Sequence, residues 1–169
     1  MKNLFIILTA LIFITSCELL FDPEPELPPV TEEGNGTFGC KINGEVWLPD
    51  DRYLNSGGNI LEAFLNRGID MHIKALYEPK SQSLEFTLRD IFNQDKSIQF
   101  YQQETEKSFA SVSMEDNCNL KTDSNSGYLE ILKIDSINKI VAGTFEFIVF
   151  SDCDTVEVTE GRFDLNYYE

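Results

Sequence analysis

Basic residues are scarce in this chain. Thirteen Lys and Arg stand against 29 Asp and Glu in 169 residues, for a formal net charge of −16. Nucleic-acid binding needs Lys and Arg to displace counterions from phosphates, so nucleic acid is excluded as a partner. The same imbalance excludes a basic face lying on anionic lipid. The sole histidine is His72 and there is no Cys-x-x-Cys pair, so the zinc patterns are missing and no metal or other cofactor is implied. No serine sits in a Gly-x-Ser-x-Gly turn, and no glycine-rich phosphate loop exists; Gly57-Gly58 reads as a turn. No apolar run reaches the roughly 20 residues of a membrane-spanning helix. No window longer than about ten residues sustains helical i, i+3, i+4 spacing. What is there is a 42% hydrophobic, 12% aromatic chain, apolar enough for a packed core and long enough for one domain with a tail.

The N-terminus reads as an address. Met1-Lys2-Asn3 is followed by an apolar run from Leu4 to Ile14 and then Thr15-Ser16-Cys17, the build of a secretory signal peptide over residues 1–16. Ile14-Thr15-Ser16-Cys17 resembles a bacterial lipobox. That resemblance implies cleavage before Cys17, with acyl chains (palmitate among them) on its thiol and its new amino group. Several acyl chains hold a protein on a bilayer without a membrane span. Loss of Lys2 with the signal peptide makes the mature chain one unit more negative. Residues 17–36 follow as a tether, with Pro23, Pro25, Pro28 and Pro29 and with acidic but no basic residues. Proline stiffness and like-charge repulsion extend such a segment, to a reach on the order of 50 Å. The acidity and the stalk together predict a domain that stands off the membrane and meets its partner at the end far from the tether.

Residues 37–169 alternate with period two. Phe38, Cys40 and Ile42 share a face; Asn43-Gly44 predicts a tight hairpin turn, and Glu45 to Leu48 return until Pro49 stops the strand. Ile69, Met71, Ile73, Ala75 and Tyr77 form a second face, Leu84, Phe86 and Leu88 a third, and Ala110, Val112 and Met114 a fourth. Val141, Phe145, Phe147 and Val149 point one way near the end, and Phe163, Leu165 and Tyr167 oppose Arg162, Asp164 and Asn166. Gly58–Asn66 reads as a short helix or a strand. The fold class is therefore all-β, a single antiparallel β-sandwich or barrel of about eight to ten strands.

Few residues stand out chemically. With Cys17 taken by lipid, Cys118 and Cys153 lie in matching polar loops and are expected to pair, closing a loop of about 35 residues. Cys40 shares a face with Phe38 and Ile42 and reads as a buried thiol, though a bridge from Cys40 to either other cysteine is the alternative. Asp152, Asp154 and Glu157 flank Cys153, and Glu115 and Asp116 flank Cys118; such oxygen ligands suit Ca²⁺, but the spacing matches no calcium loop, and a solvated acidic edge is the simpler reading. His72, between Asp70 and Lys74 on the polar side of its strand, reads as a surface residue rather than a general base. Carboxylates are too many for a glycosidase pair to be singled out. Trp47, Tyr53 and Tyr128, with Tyr101 and Tyr168, are amphipathic rings suited to ligand contact, while Trp47 is equally suited to plug a core beside its hairpin.

The chain resembles small Bacteroidetes lipoproteins that open with a Lys-x-Asn-Gly-x-x-Trp hairpin and close with Gly-Thr-Phe-x-Phe and Gly-Arg-Phe-Asp strands. The matching pieces are Thr37 to Trp47, Ile140 to Phe147 and Val158 to Asp164. Residues 50–125 carry none of the resemblance. It implies a β-rich fold and lipid anchoring at the outer membrane, and it brings no activity and no catalytic residues. In such a compartment Asp135-Ser136-Ile137 and Asp154-Thr155-Val156 resemble O-glycosylation acceptors, which points to Ser136 and Thr155. The expectation is a non-enzymatic binding or accessory module for a protein or glycan. The alternatives are a barrel-type carrier of a hydrophobic ligand and, further off, a glycan-processing hydrolase.

Overall fold

The structure, a computed structural model, describes residues 25–50, 59–101, 107–114, 122–150 and 155–169. Ten strands run in chain order: β1 (Thr37–Ile42), β2 (Glu45–Trp47), β3 (Leu61–Asn66), β4 (Asp70–Tyr77), β5 (Gln82–Leu88), β6 (Ser97–Gln99), β7 (Phe109–Ser113), β8 (Thr122–Asp135), β9 (Ile140–Phe150) and β10 (Thr155–Asn166). The only helical turn among the described residues is the 3₁₀ turn Glu78–Lys80. The segment with two sequence readings, Gly58–Asn66, contains strand β3. Strands β6 and β8 have no counterpart in the period-two pattern read from the sequence.

The ladder order is β2-β1-β10-β9-β8-β7-β5-β4-β3, with β6 on β8, and every strand pair is antiparallel. Long β8 is the corner. Thr122 and Asp123 pair with β7, while Tyr128 to Glu130 lie between β6 and β9. The chain thus forms two antiparallel sheets, an all-β sandwich not closed into a barrel. At the side opposite β8, two single-residue bridges stitch the sheets: Asp50 pairs with Tyr77 of β4, and Tyr168 pairs with Phe64 of β3. The Leu65 amide donates to the Tyr168 carbonyl at 2.7 Å, and the Asp50 amide to that of Leu76 at 3.1 Å.

The first hairpin follows directly from its turn residues. Asn43 and Gly44 both have positive φ, 51° and 85°, which gives the turn the hand that matches strand twist. Inward residues of both sheets meet in one core. Phe38, Phe145, Phe147 and Phe163 come from β1, β9 and β10, and Phe86 comes from β5 on the opposite sheet. Phe86 lies 4.8 Å from Phe145, 5.8 Å from Phe100, 6.0 Å from Phe147 and 6.3 Å from Phe38 between ring centroids. These rings fill the space in which a barrel-type carrier would hold its ligand.

One polar residue is deeply buried against the alternation. Asp164 lies on the outer side of β10, as the sequence pattern places it, yet is only 1% exposed. The segment before β1 covers it. Its carboxylate accepts from the Thr31 hydroxyl at 2.6 Å and from the amides of Glu33 (3.0 Å), Gly34 (2.6 Å) and Asn35 (3.2 Å). Gly34 supplies the positive φ of 78° that turns successive amides toward one carboxylate. The Asn166 amide group also donates to the Gly34 carbonyl, and the Lys133 ammonium to that of Glu32. Residues 31–35, within the stretch read from sequence as tether, are therefore seated on the domain.

Burial opposes the charge on Asp164, but the Thr31 hydroxyl and the three amides outweigh it and hold its pKa below the usual carboxylate value. A carboxylate depressed in the fold contributes stability that is complete above its unfolded pKa, near 3.9, and is lost as pH falls through the folded value. Asp164→Asn is expected to cost about 2 kcal/mol at neutral pH. Denaturant melts from pH 7 to pH 3 should show the gap between variant and parent closing only below about pH 4. A gap independent of pH would remove the charge from this account.

Candidate functional site

A cleft of about 530 Å³ lies at the stitched side of the sandwich. That volume is in the range of small-ligand sites. One wall is the first hairpin, with Ile42, Glu45, Val46 and Trp47; the other is Tyr77, Lys80 and Gln82 from the β4–β5 connection, with Met114 after β7. Leu48, Pro49, Asp50 and Pro25 also line it.

Trp47 performs the structural role first. It is 6% exposed, meets Phe38 edge-on at 6.1 Å, and donates its indole N–H to Gln82 Oε1 at 2.9 Å. Tyr77, half-buried, stands 6.2 Å from the indole. Neither partner is marked in the sequence as belonging with Trp47. Gln82 is 35 positions away, and only the register of β4 with β5 brings it across. The cleft is mixed in character: an aromatic and thioether floor, carboxylates at Glu45 and Asp50, and an ammonium at Lys80.

Of the rings suited to ligand contact, Trp47 and Tyr128 do not share a site. Tyr53 lies outside the described residues. Tyr128 is exposed on the outer face of β8 and lines a separate shallow hollow of about 130 Å³ with Val30 and Arg162. Its hydroxyl donates to Glu146, whose negative charge raises the phenol pKa above the usual value. Of the acidic calcium candidates, Asp152 and Asp154 lie outside the described residues, as do Glu115 and Asp116. Glu157 is an exposed strand residue whose amide is taken by the Asn43 side chain. Among the described residues no three His, Cys, Asp or Glu side chains gather as a metal site.

Cys17, Cys118 and Cys153 also lie outside the described residues. Cys40 is buried and free, and burial pushes its thiol up to about 12. It is therefore an unreactive core side chain. Ser136 is exposed in the turn after β8, where Asp135 accepts from the amides of Ile137 and Asn138 at 2.9 Å each. Thr155 is exposed at the first position of β10. The cleft abuts Pro25, on the tether side, whereas the charge argument put the partner contact at the far end.

His72 departs from its surface reading. It does point to the outer face, but it stacks on Phe64 at 4.8 Å with planes 12° apart, and Phe64 stacks on Tyr168 at 6.0 Å. These residues are in register across β4, β3 and the C-terminal bridge. The stacked row clasps the C-terminus to β3. Thr87 sits 3.2 Å from His72 Nδ1, and Nε2 is buried with no hydrogen-bond partner among the described residues. Burial, then the Arg89 guanidinium, lowers the His72 pKa, against the pull of Asp70 and Glu85. Arg89 itself is held by Asp70 at 2.7 Å.

No protein-family model, curated protein or solved structure matches this chain. The class that fold and site define is an all-β sandwich with an edge cleft.

His72 is expected to titrate below its ordinary value near 6.5, read from its ring proton shifts across pH 4–8. Because protonation favours the unfolded chain, the stability tied to this site is present above about pH 6.5 and falls as pH drops below it. A midpoint at or above 6.5 would contradict the packing described for this ring.

Proposed function

We propose that this protein is a lipid-anchored module of the cell envelope, tethered to the outer membrane through Cys17 and binding a partner in the β2–Gln82 cleft without chemistry of its own. The single observation that carries the binding reading is the cleft itself. It is an open, chemically mixed cavity, while the sandwich interior is filled by phenylalanine rings. The filled interior speaks against the alternative of a hydrophobic-ligand carrier. The lipobox behind the signal peptide supports the anchor.

The test has two arms. Cys17→Ala should move the chain from the membrane fraction to the soluble fraction and abolish acyl labelling; unchanged membrane partitioning would end the anchoring proposal. A photo-reactive side chain placed at Lys80 in the full-length lipoprotein should crosslink to an envelope component. Met114→Arg, which puts a bulky cation into the cleft, should abolish that crosslink. Crosslinks that survive it would take the site elsewhere.

In the same oxidising compartment we propose that Cys118 pairs with Cys153 while Cys40 stays reduced. Alkylating the unfolded, unreduced domain should then label Cys40 alone. Label on Cys118 or Cys153 would refute the pairing.

A further inference from the structure

We propose that the cleft receives an extended polypeptide that adds to the free edge of β2 as an extra strand, carrying an apolar and a basic side chain on either side of its central residue. The proposal rests on the binding reading above and names the chemistry of the partner.

The hairpin register decides which backbone groups are free. A two-residue turn leaves its flanking pair, Ile42 and Glu45, exchanging the closing hydrogen bonds, and Cys40 with Trp47 does the same one step along. Between them, Lys41 faces Val46 as a pair without hydrogen bonds, because the Lys41 backbone points to its partner Thr159 on β10. The N–H and C=O of Val46 therefore point away from β1, to the outer edge. Strand β2 ends the ladder, and among the described residues no backbone bond takes up the Val46 pair. The other outer edge on this side of the sandwich, that of β3, is already taken by Tyr168. Val46 also lines the cleft, so its open donor and acceptor sit at the mouth of a cavity.

A donor–acceptor pair at a strand edge fits one backbone residue of an incoming strand. Strand alternation then fixes the side chains. The residues flanking the paired one lie over Trp47 on one side and Glu45 on the other, on the cleft face. Trp47, Tyr77 and Met114 favour an apolar side chain there. Glu45 is exposed and has no ion-pair partner among the described residues, so it favours a cation. The formal charge of −16 draws basic segments and repels acidic ones. For an antiparallel addition the recognised pattern is apolar-x-basic.

The probe is the blocked peptide acetyl-Thr-Leu-Thr-Lys-Thr-amide, titrated into the full-length lipoprotein in detergent. Trp47 is the sole tryptophan, so its fluorescence reports the cleft, and a ¹⁵N-valine label reports the Val46 amide. A saturable change in both is expected. N-methylation of the central threonine should weaken binding about tenfold, by removing a hydrogen bond and adding a clash. Val46→Pro should weaken it about tenfold as well, because proline deletes the outward N–H. That variant should keep its melting temperature, since the lost group makes no bond to β1. Glu45→Lys should reverse the preference toward the peptide with glutamate in place of lysine. Peptide binding that is unchanged by N-methylation or by Val46→Pro overturns strand addition. So does the absence of saturation up to millimolar peptide. A Val46 amide already protected from exchange, with no peptide bound, assigns the edge to the chain's own leader and overturns the proposal too. The crosslink from position 80 reports separately on whether the cleft binds anything, so the two readings fail by different results.

Discussion

The ring of Phe86 sits where the two sheets meet, stacked on Phe100 and tilted against Phe145 from the opposite sheet. A sheet with one apolar face must bury it, and here each sheet buries its face on the other through phenylalanine. Aromatic side chains bring large area in few residues, which suits a small domain with little surface to spare for its core. Filling the interior this way has a functional consequence. Any ligand is directed to the outside of the sandwich, where strands end and sheets separate.

The edges are treated unequally. Edge strands invite pairing with other chains, and proteins usually cover or interrupt them. On β3 the cover is Tyr168, bonded to the backbone of Ala63 and Leu65 and stacked on the Phe64–His72 row. Among the described residues, the protection of β2 is only brevity: three residues, stopped by Pro49. A long bare edge would be an aggregation hazard, whereas a single open residue beside a cavity gives weak, selective pairing. The difference between the two edges separates a closed seam from a usable one.

The parts of this architecture legible in the sequence are those carried by local pattern. Asn43-Gly44 announced its turn, and the alternation through Phe145, Phe147 and Phe163 announced inward faces. Strand β8 was not legible. It changes sheets partway, so its face to the core is not constant, and register shifts near Ser124 and Ile131 break the period further. The cleft was half legible: Trp47 stood out by its type, but Gln82, Lys80 and Tyr77 join it only through strand pairing. Alternation placed Asp164 opposite the core face, but its burial was not legible, because alternation says nothing about a segment of chain lying over that face. The surroundings of His72 were not legible because its neighbours Phe64 and Thr87 come to it across the sheet through strand register.

That covering segment also constrains where the domain can work. Asp164 fixes residues 31–35, and Pro25 reaches the cleft. If the chain is anchored at Cys17, seven residues lie between the anchor and Pro25, and an extended chain spans at most about 29 Å over the eight Cα–Cα steps. The long stand-off suggested by the whole acidic stretch is thereby shortened, because its last part runs along the domain. The cleft then lies in the zone just above the bilayer. A partner that presents a basic extended segment there would be drawn in by the domain's acidic field while that field keeps the domain off an anionic surface. With the proposed anchor at Cys17, charge and tether favour the same geometry, in which the proposed partner is a membrane-proximal polypeptide rather than the membrane itself.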